Sequence, residues 1–194
     1  MRSRLGPLGL VTLTAAALAL AVPTVVAAPS KPALLADAKA DVTGKLDLQR
    51  VKLSVDSRKR LRVAITFAGA VKPADMLAKS GPPGSFCVRI WTPADADPEA
   101  QRPDRLACVT ARSKTALRGR VFRQDGPGLP ERVANAPVSR SKSDRSFVIR
   151  ITPASLGDPM RVRLAVESTR PGCDRTSCID TAPAAPMTRR FRLR

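Results

Sequence analysis

The sequence predicts an all-β protein: a single antiparallel β-sandwich, jelly-roll or immunoglobulin-like, with eight or nine strands behind an N-terminal export signal. Three observations lead there. Short runs rich in Val, Ile, Leu and Phe recur with period-two alternation, the pattern of strands with one buried face. Clusters of Pro and Gly separate these runs, drawn from 18 Pro and 11 Gly in 194 residues. Only one segment, KPADMLAK at 72–79, reads as helical, with Pro73 near its first position and Gly81 just past its end.

The first segment is a secretory signal. Arg2 and Arg4 precede the apolar run LGLVTLTAAALALAV at 8–22, and Pro23 ends it. Val25 and Ala27 satisfy the small-residue rule, which places cleavage after Ala27 and the signal peptide at 1–27. An uncleaved anchor is the alternative, because the run approaches the roughly 20 apolar residues that span a bilayer. Residues 28–40, APSKPALLADAKA, have no long apolar face and read as a leader with at most one helical turn. The sandwich domain is expected over 41–194, a length that buries about two-thirds of the unfolded chain's surface.

Within that domain the clearest strand is LRVAITF, 61–67. Leu61, Val63, Ile65 and Phe67 share one face, while Arg62 and Thr66 take the other. Similar strands are expected at 45–55, 86–92, 106–111, 117–123, 146–152, 161–168 and 190–194, with a weaker one at 132–138. The turn signals are GPPG (81–84), DGPGLP (125–130), GDP (157–159), RPG (170–172) and APAAP (182–186).

Four cysteines in an exported chain imply disulfides. Cys87 with Cys108 would tie neighbouring strands across the 92–105 loop, contributing about 3 kcal/mol in the chain-entropy model. Cys173 with Cys178 would close a tight loop. A four-cysteine zinc site is disfavoured because paired C-x2-C spacing is missing.

The residue inventory restricts the chemistry. There is no histidine, so Ser-His and Cys-His pairs are impossible. Carboxylate catalysis would have to draw on Asp95, Asp97, Glu99 and Asp104, all in the loop DADPEAQRPD; the same acids are the candidate ligands for a calcium ion. Four acids in a Pro-rich loop also describe a plain solvated surface. Ser139 and Lys142 form an S-x-x-K, but in the polar stretch SRSKSDR, where the lysine would stay solvated. TGK at 43–45 lacks the glycine-rich lead of a phosphate loop. No cofactor is implied, and a non-enzymatic role is favoured.

Arginine dominates the charge. It outnumbers lysine 25 to 9, and the formal net charge is +18, lowered by two when the signal is removed. Arginines alternate along several expected strands: Arg60 and Arg62, Arg118 and Arg120, Arg161 and Arg163, Arg190 and Arg192. Each set lies on one sheet face. If their strands are neighbours, the guanidinium groups form a stripe that attracts polyanions with strong salt dependence; the plain alternative is a GC-rich coding bias that uses arginine as its solvating residue. Outside the cell, anionic envelope polymers and acidic polysaccharides come before nucleic acid as partners. The phenylalanines fall in strands and are expected in the core. Trp91 shares a face with Cys87 and Arg89, where it packs under the 92–105 loop or stacks on a ligand.

DVTGKLDLQRV followed by LRVAITF resembles the opening strands of DOMON-type domains and family-nine carbohydrate-binding modules, and the closing CxxxxCIDTAP at 173–183 resembles secreted β-sandwich proteins of high-GC bacteria. The resemblance implies an extracellular or envelope-associated sandwich. It does not carry over binding residues: haem-binding DOMON domains use a histidine that is absent here, and sugar binding needs an aromatic clamp beyond Trp91. A structural or ligand-binding protein is therefore expected, with a carbohydrate-binding module or a carboxylate hydrolase as alternatives.

Overall fold

A computed structural model describes residues 30–37, 44–124, 126, 128–173, 176–184 and 186–194. The expected signal peptide lies outside the described residues, as does the expected start of the domain near Asp41. Among the described residues there are twelve strands: β1 (Ala33–Ala36), β2 (Leu48–Val55), β3 (Leu61–Phe67), β4 (Ser85–Trp91), β5 (Arg105–Ala111), β6 (Leu117–Arg123), β7 (Glu131–Asn135), β8 (Val138–Arg140), β9 (Ser146–Ile151), β10 (Arg161–Thr169), β11 (Ile179–Ala182) and β12 (Arg189–Arg192). All pairings are antiparallel. One sheet has five strands in the order β1-β2-β3-β9-β8; the other has seven, β11-β10-β4-β5-β6-β7 with β12 also on β10. The two sheets pack together as the expected sandwich.

Alternation is what makes the layers. Along β3 every odd residue is buried and every even one is half-buried, so Leu61, Val63, Ile65 and Phe67 face the second sheet. β9 supplies Phe147, Ile149 and Ile151 to the same face, and β4 answers with Phe86, Val88 and Ile90. Phe67, Phe86 and Phe147 meet at the centre, with ring centroids 5.2 to 5.7 Å apart in edge-on and tilted pairs. Phe122 departs from the expected core role. It stands opposite Leu106 on the outer face of the seven-stranded sheet and is only half-buried.

Other departures have local causes. The expected leader contributes β1, because Ala33 and Leu35 can bury against β2 while Leu34 and Ala36 point outward. The expected helix at 72–79 is a single 3-10 turn, Pro73–Met76, held by Asp75 accepting from the Lys72 backbone N–H; Leu77 is already extended. The weak strand expected at 132–138 is two strands in different sheets. The chain ends β7 in the seven-stranded sheet, crosses at Ala136 and Pro137, and enters β8 in the five-stranded one. The crossing leans on Gly119: Ala136 N–H donates to the Gly119 carbonyl at 3.0 Å, and a Cβ at Gly119 would lie 2.3 Å from the Ala136 carbonyl oxygen.

Both cysteine pairs are at disulfide distance, Cys87 with Cys108 and Cys173 with Cys178. Cys87 and Cys108 face each other in register across β4 and β5. Among the described residues no helix is long and apolar enough to cross a membrane.

Candidate anion-binding face

The outer face of the five-stranded sheet gathers five basic side chains around one concavity. Its middle strands present small residues there: Ala64 and Thr66 on β3, Ser146 and Val148 on β9. Pairing sets them in rows, Lys52–Ala64–Val148–Ser139 and Arg50–Thr66–Ser146. In the next row Arg62 and Arg150 stand directly opposite each other. The result is an open concavity of about 550 Å³, with a floor of small side chains and a rim of Arg50, Lys52, Arg62, Arg150 and Arg140. No carboxylate is among the residues that line it.

Charge pairing sharpens the contrast between rim residues. Arg140 is held by Asp144 at 3.1 Å. Among the described residues, Arg50, Lys52, Arg62 and Arg150 enter no ion pair with a carboxylate. Arg150 is oriented instead by a neutral partner, donating from Nη1 to Ser139 Oγ at 3.0 Å, and the floor hydroxyls Thr66 Oγ1 and Ser146 Oγ are 3.2 Å apart. Two guanidinium groups opposite each other in an antiparallel pair repel, which is destabilising. A bound anion relieves that repulsion, and guanidinium forks suit phosphate and carboxylate groups.

The eight arginines read from strand alternation do not form one stripe. Arg62 belongs to the concavity. Arg60 precedes β3, and Asp56 holds it at 2.8 Å in the β2–β3 turn. Burial would raise the Asp56 carboxyl, but hydrogen bonds from the Arg60 side chain and the Arg60 and Arg58 backbone outweigh it and leave the group below its ordinary value. Arg118 and Arg120 lie on the outer face of the opposite sheet, with β4 and β5 between them and β10. Burial, and then the charges of Arg118 and Arg132, lower the Arg120 guanidinium from its ordinary value. Arg161 with Arg192 and Arg163 with Arg190 are two directly opposed pairs on β10 and β12. Arg163 is tied to the Ala94 carbonyl and to Thr188 Oγ1, each at 3.4 Å.

Arg50, Lys52, Arg140 and Arg150 escaped the sequence reading. The signal was present, since Arg50 and Lys52 alternate in KLDLQRVKLSV. Strand order was what was lacking, because β3 lies between β2 and β9 and brings the three sets together.

Trp91 and the acids of the 92–105 loop fall on the seven-stranded side. Trp91 is 2% exposed and packs with Ala96 and Ala165. Its indole N–H donates to the Gln101 carbonyl at 2.9 Å, and the Arg89 guanidinium lies 5.3 Å from its ring centroid. The packing role under the loop is therefore the one its geometry displays. Asp104 fastens the same loop, accepting from the Thr92 backbone and hydroxyl and from Arg105. Asp97 accepts from the Glu99 backbone N–H at 3.0 Å, while Asp95 is exposed. Among the described residues no three acidic or cysteine side chains gather into a cation-holding group. Ser139 and Lys142 are likewise not a catalytic pair: Ser139 accepts from Arg150, and Lys142 is exposed in the β8–β9 turn.

Comparison with family models, with curated proteins and with solved structures finds no match.

Proposed function

We propose that this chain is an exported, non-enzymatic β-sandwich that binds an anionic envelope polymer along the outer face of its five-stranded sheet. The observation that carries the reading is the concavity whose rim cations Arg50, Lys52, Arg62 and Arg150 have no acidic partner among the described residues. Export rests on the signal-like segment at 1–27 and accords with the two cysteine pairs at disulfide distance. An extended polyanion lying across the small-residue floor brings repeating charges within reach of the rim, and release of its counterions supplies much of the free energy.

Overall positive charge alone retains a protein on anionic matrices, so the test compares two variants with the same loss of charge. Residues 28–194 are passed over immobilised wall polymer and eluted with a salt gradient. Arg62→Ser with Arg150→Ser elutes at clearly lower salt, with the dependence of log affinity on log salt shallower by up to about two. Arg118→Ser with Arg120→Ser shifts elution much less. Equal shifts for the two pairs would overturn the reading in favour of diffuse charge.

A further inference from the structure

The seven-stranded sheet contains a second, smaller site, and strand pairing creates it. One edge of β10 pairs with β4 along 163–169. The other edge is shared end to end: β12 pairs with Arg161 to Leu164, and β11 pairs with Val166 to Thr169. Ala165 falls at the gap between them. The chain leaves the edge after Ala182 and rejoins it at Arg189, and Pro183, Pro186, Met187 and Thr188 line the space beside Ala165. Ala165 itself is buried there. A niche of about 180 Å³ results, with Ala165 at its base and Arg89 and Trp91 on the β4 side. Pro98, Pro183, Pro186 and Met187 make up its apolar wall.

Arg89 is the charged group that lines this niche. Among the described residues it donates no hydrogen bond. Trp91 supports it at 5.3 Å, and its nearest carboxylate, Glu167, is 3.7 Å from Nε, beyond hydrogen-bond reach. A partly exposed guanidinium with its donors available, beside an apolar wall, suits a carboxylate that has a short hydrocarbon body. The niche is smaller than the roughly 300 Å³ at which pockets for drug-sized ligands begin, so the occupant is small. We propose that this niche binds a small aliphatic carboxylate, its anion on Arg89 and its chain against Pro183, Pro186 and Met187.

Glu167 makes binding depend on pH. From β4 it is faced by Arg89 and by Cys87, which is paired with Cys108; from β11 the residue in register is Thr181. Burial pushes the Glu167 carboxyl up, and the attraction of Arg89 only partly offsets it. A ligand carboxylate on Arg89 is repelled by ionised Glu167 and tolerated by the protonated form. Affinity therefore rises as pH falls through the Glu167 transition, provided the ligand remains ionised.

Trp91 is the only tryptophan, so its fluorescence reports on the site. Hexanoate titrated into residues 28–194 should give a saturable change that tightens several-fold as pH is lowered from neutral toward the acid side of the Glu167 transition. Acetate, lacking the chain, should bind at least about tenfold more weakly, because each buried methylene contributes about 0.8 kcal/mol. Hexanol, lacking the charge, should give no saturable change. Arg89→Gln should abolish the response to hexanoate, and Glu167→Gln should remove the pH dependence while keeping the tight form. If hexanol matches hexanoate in the wild-type chain, the proposal fails, whatever the folding of the variants. It also fails if Arg89→Gln, folded by its thermal transition, binds hexanoate unchanged. The groove across the other sheet is untouched by either result.

Discussion

The two outer faces of the sandwich carry the same residue type at the same alternation and treat it differently. On the five-stranded side, Arg62 and Arg150 flank an open floor of Ala64, Thr66, Ser146 and Val148, and their charge is left without a carboxylate among the described residues. On the seven-stranded side, Arg89 lies over Trp91 and beside Glu167, and Arg163 reaches a loop carbonyl. The difference lies in what surrounds the strands. The β2–β3 and β8–β9 connections are short turns, whereas the 92–104 loop folds back over β4 and is pinned by Trp91, Asp104 and Gln101. An arginine on a bare sheet face is open to an extended partner, whereas Arg89, beside a folded-back loop, faces only a small niche.

The most severe way to break the comparison is to destroy the crossing that links the two sheets. Gly119→Val places its Cβ 2.3 Å from the Ala136 carbonyl oxygen and 2.6 Å from Val138 Cγ2, with the backbone held by the hydrogen bond from Ala136. We expect a loss of about 3 kcal/mol or more by denaturant unfolding. A variant within experimental error of wild type would mean that the β7–β8 crossing is soft. Next in size is Trp91→Ala, which removes the ring beneath the loop and should cost about 3 kcal/mol. Salt elution from immobilised polymer should stay unchanged in that variant. A large shift would mean that the two faces are coupled through the core.

Smallest are the effects of pH, and they have opposite sign on the two sides. Glu167 is held above its ordinary value by burial, so the folded chain binds its proton more tightly than the unfolded chain does. Its contribution to stability is full below the ordinary glutamate range and disappears as pH rises through the raised value. Asp56 is held below its ordinary value, because its hydrogen bonds to Arg60 and Arg58 outweigh its burial. Its contribution is present above the ordinary aspartate range and is lost as pH falls through the lowered value. Stability profiles of Glu167→Gln and Asp56→Asn against wild type should therefore diverge on opposite limbs, the first losing the decline toward neutral pH and the second part of the acid limb.

How much of this was legible in the sequence depended on the range of the interaction. β3, β5, β6 and β9 could be read because alternation and turn residues are local, and the pairing of Cys87 with Cys108 followed from two adjacent strands joined by one loop. β1 and β11 are four residues each, too short to show a period, and they exist because β2 and β10 offer them an edge. The passage from β7 to β8 was hidden because nothing in RVANAPV states that a strand changes sheets halfway. The concavity was hidden for a related reason: it needs β2, β3, β9 and β8 side by side, and only long-range pairing puts them there. Arg89 and Glu167 were invisible as a pair, since they are far apart in sequence and come together only in the pairing of β4 with β10.

The pairing order also governs when the molecule can fold. β3 gains its second neighbour only in β9, and β4 its second only in β10, so both sheets are closed along their centres by the last third of the chain. Contacts this distant in sequence form late, because the loop entropy must be met before they return anything. The first two strand hairpins therefore have no stable partner until residues near 150 and 169 are present. On the export route proposed above, that delay would keep the polypeptide threadable during the crossing and let the sandwich close afterwards.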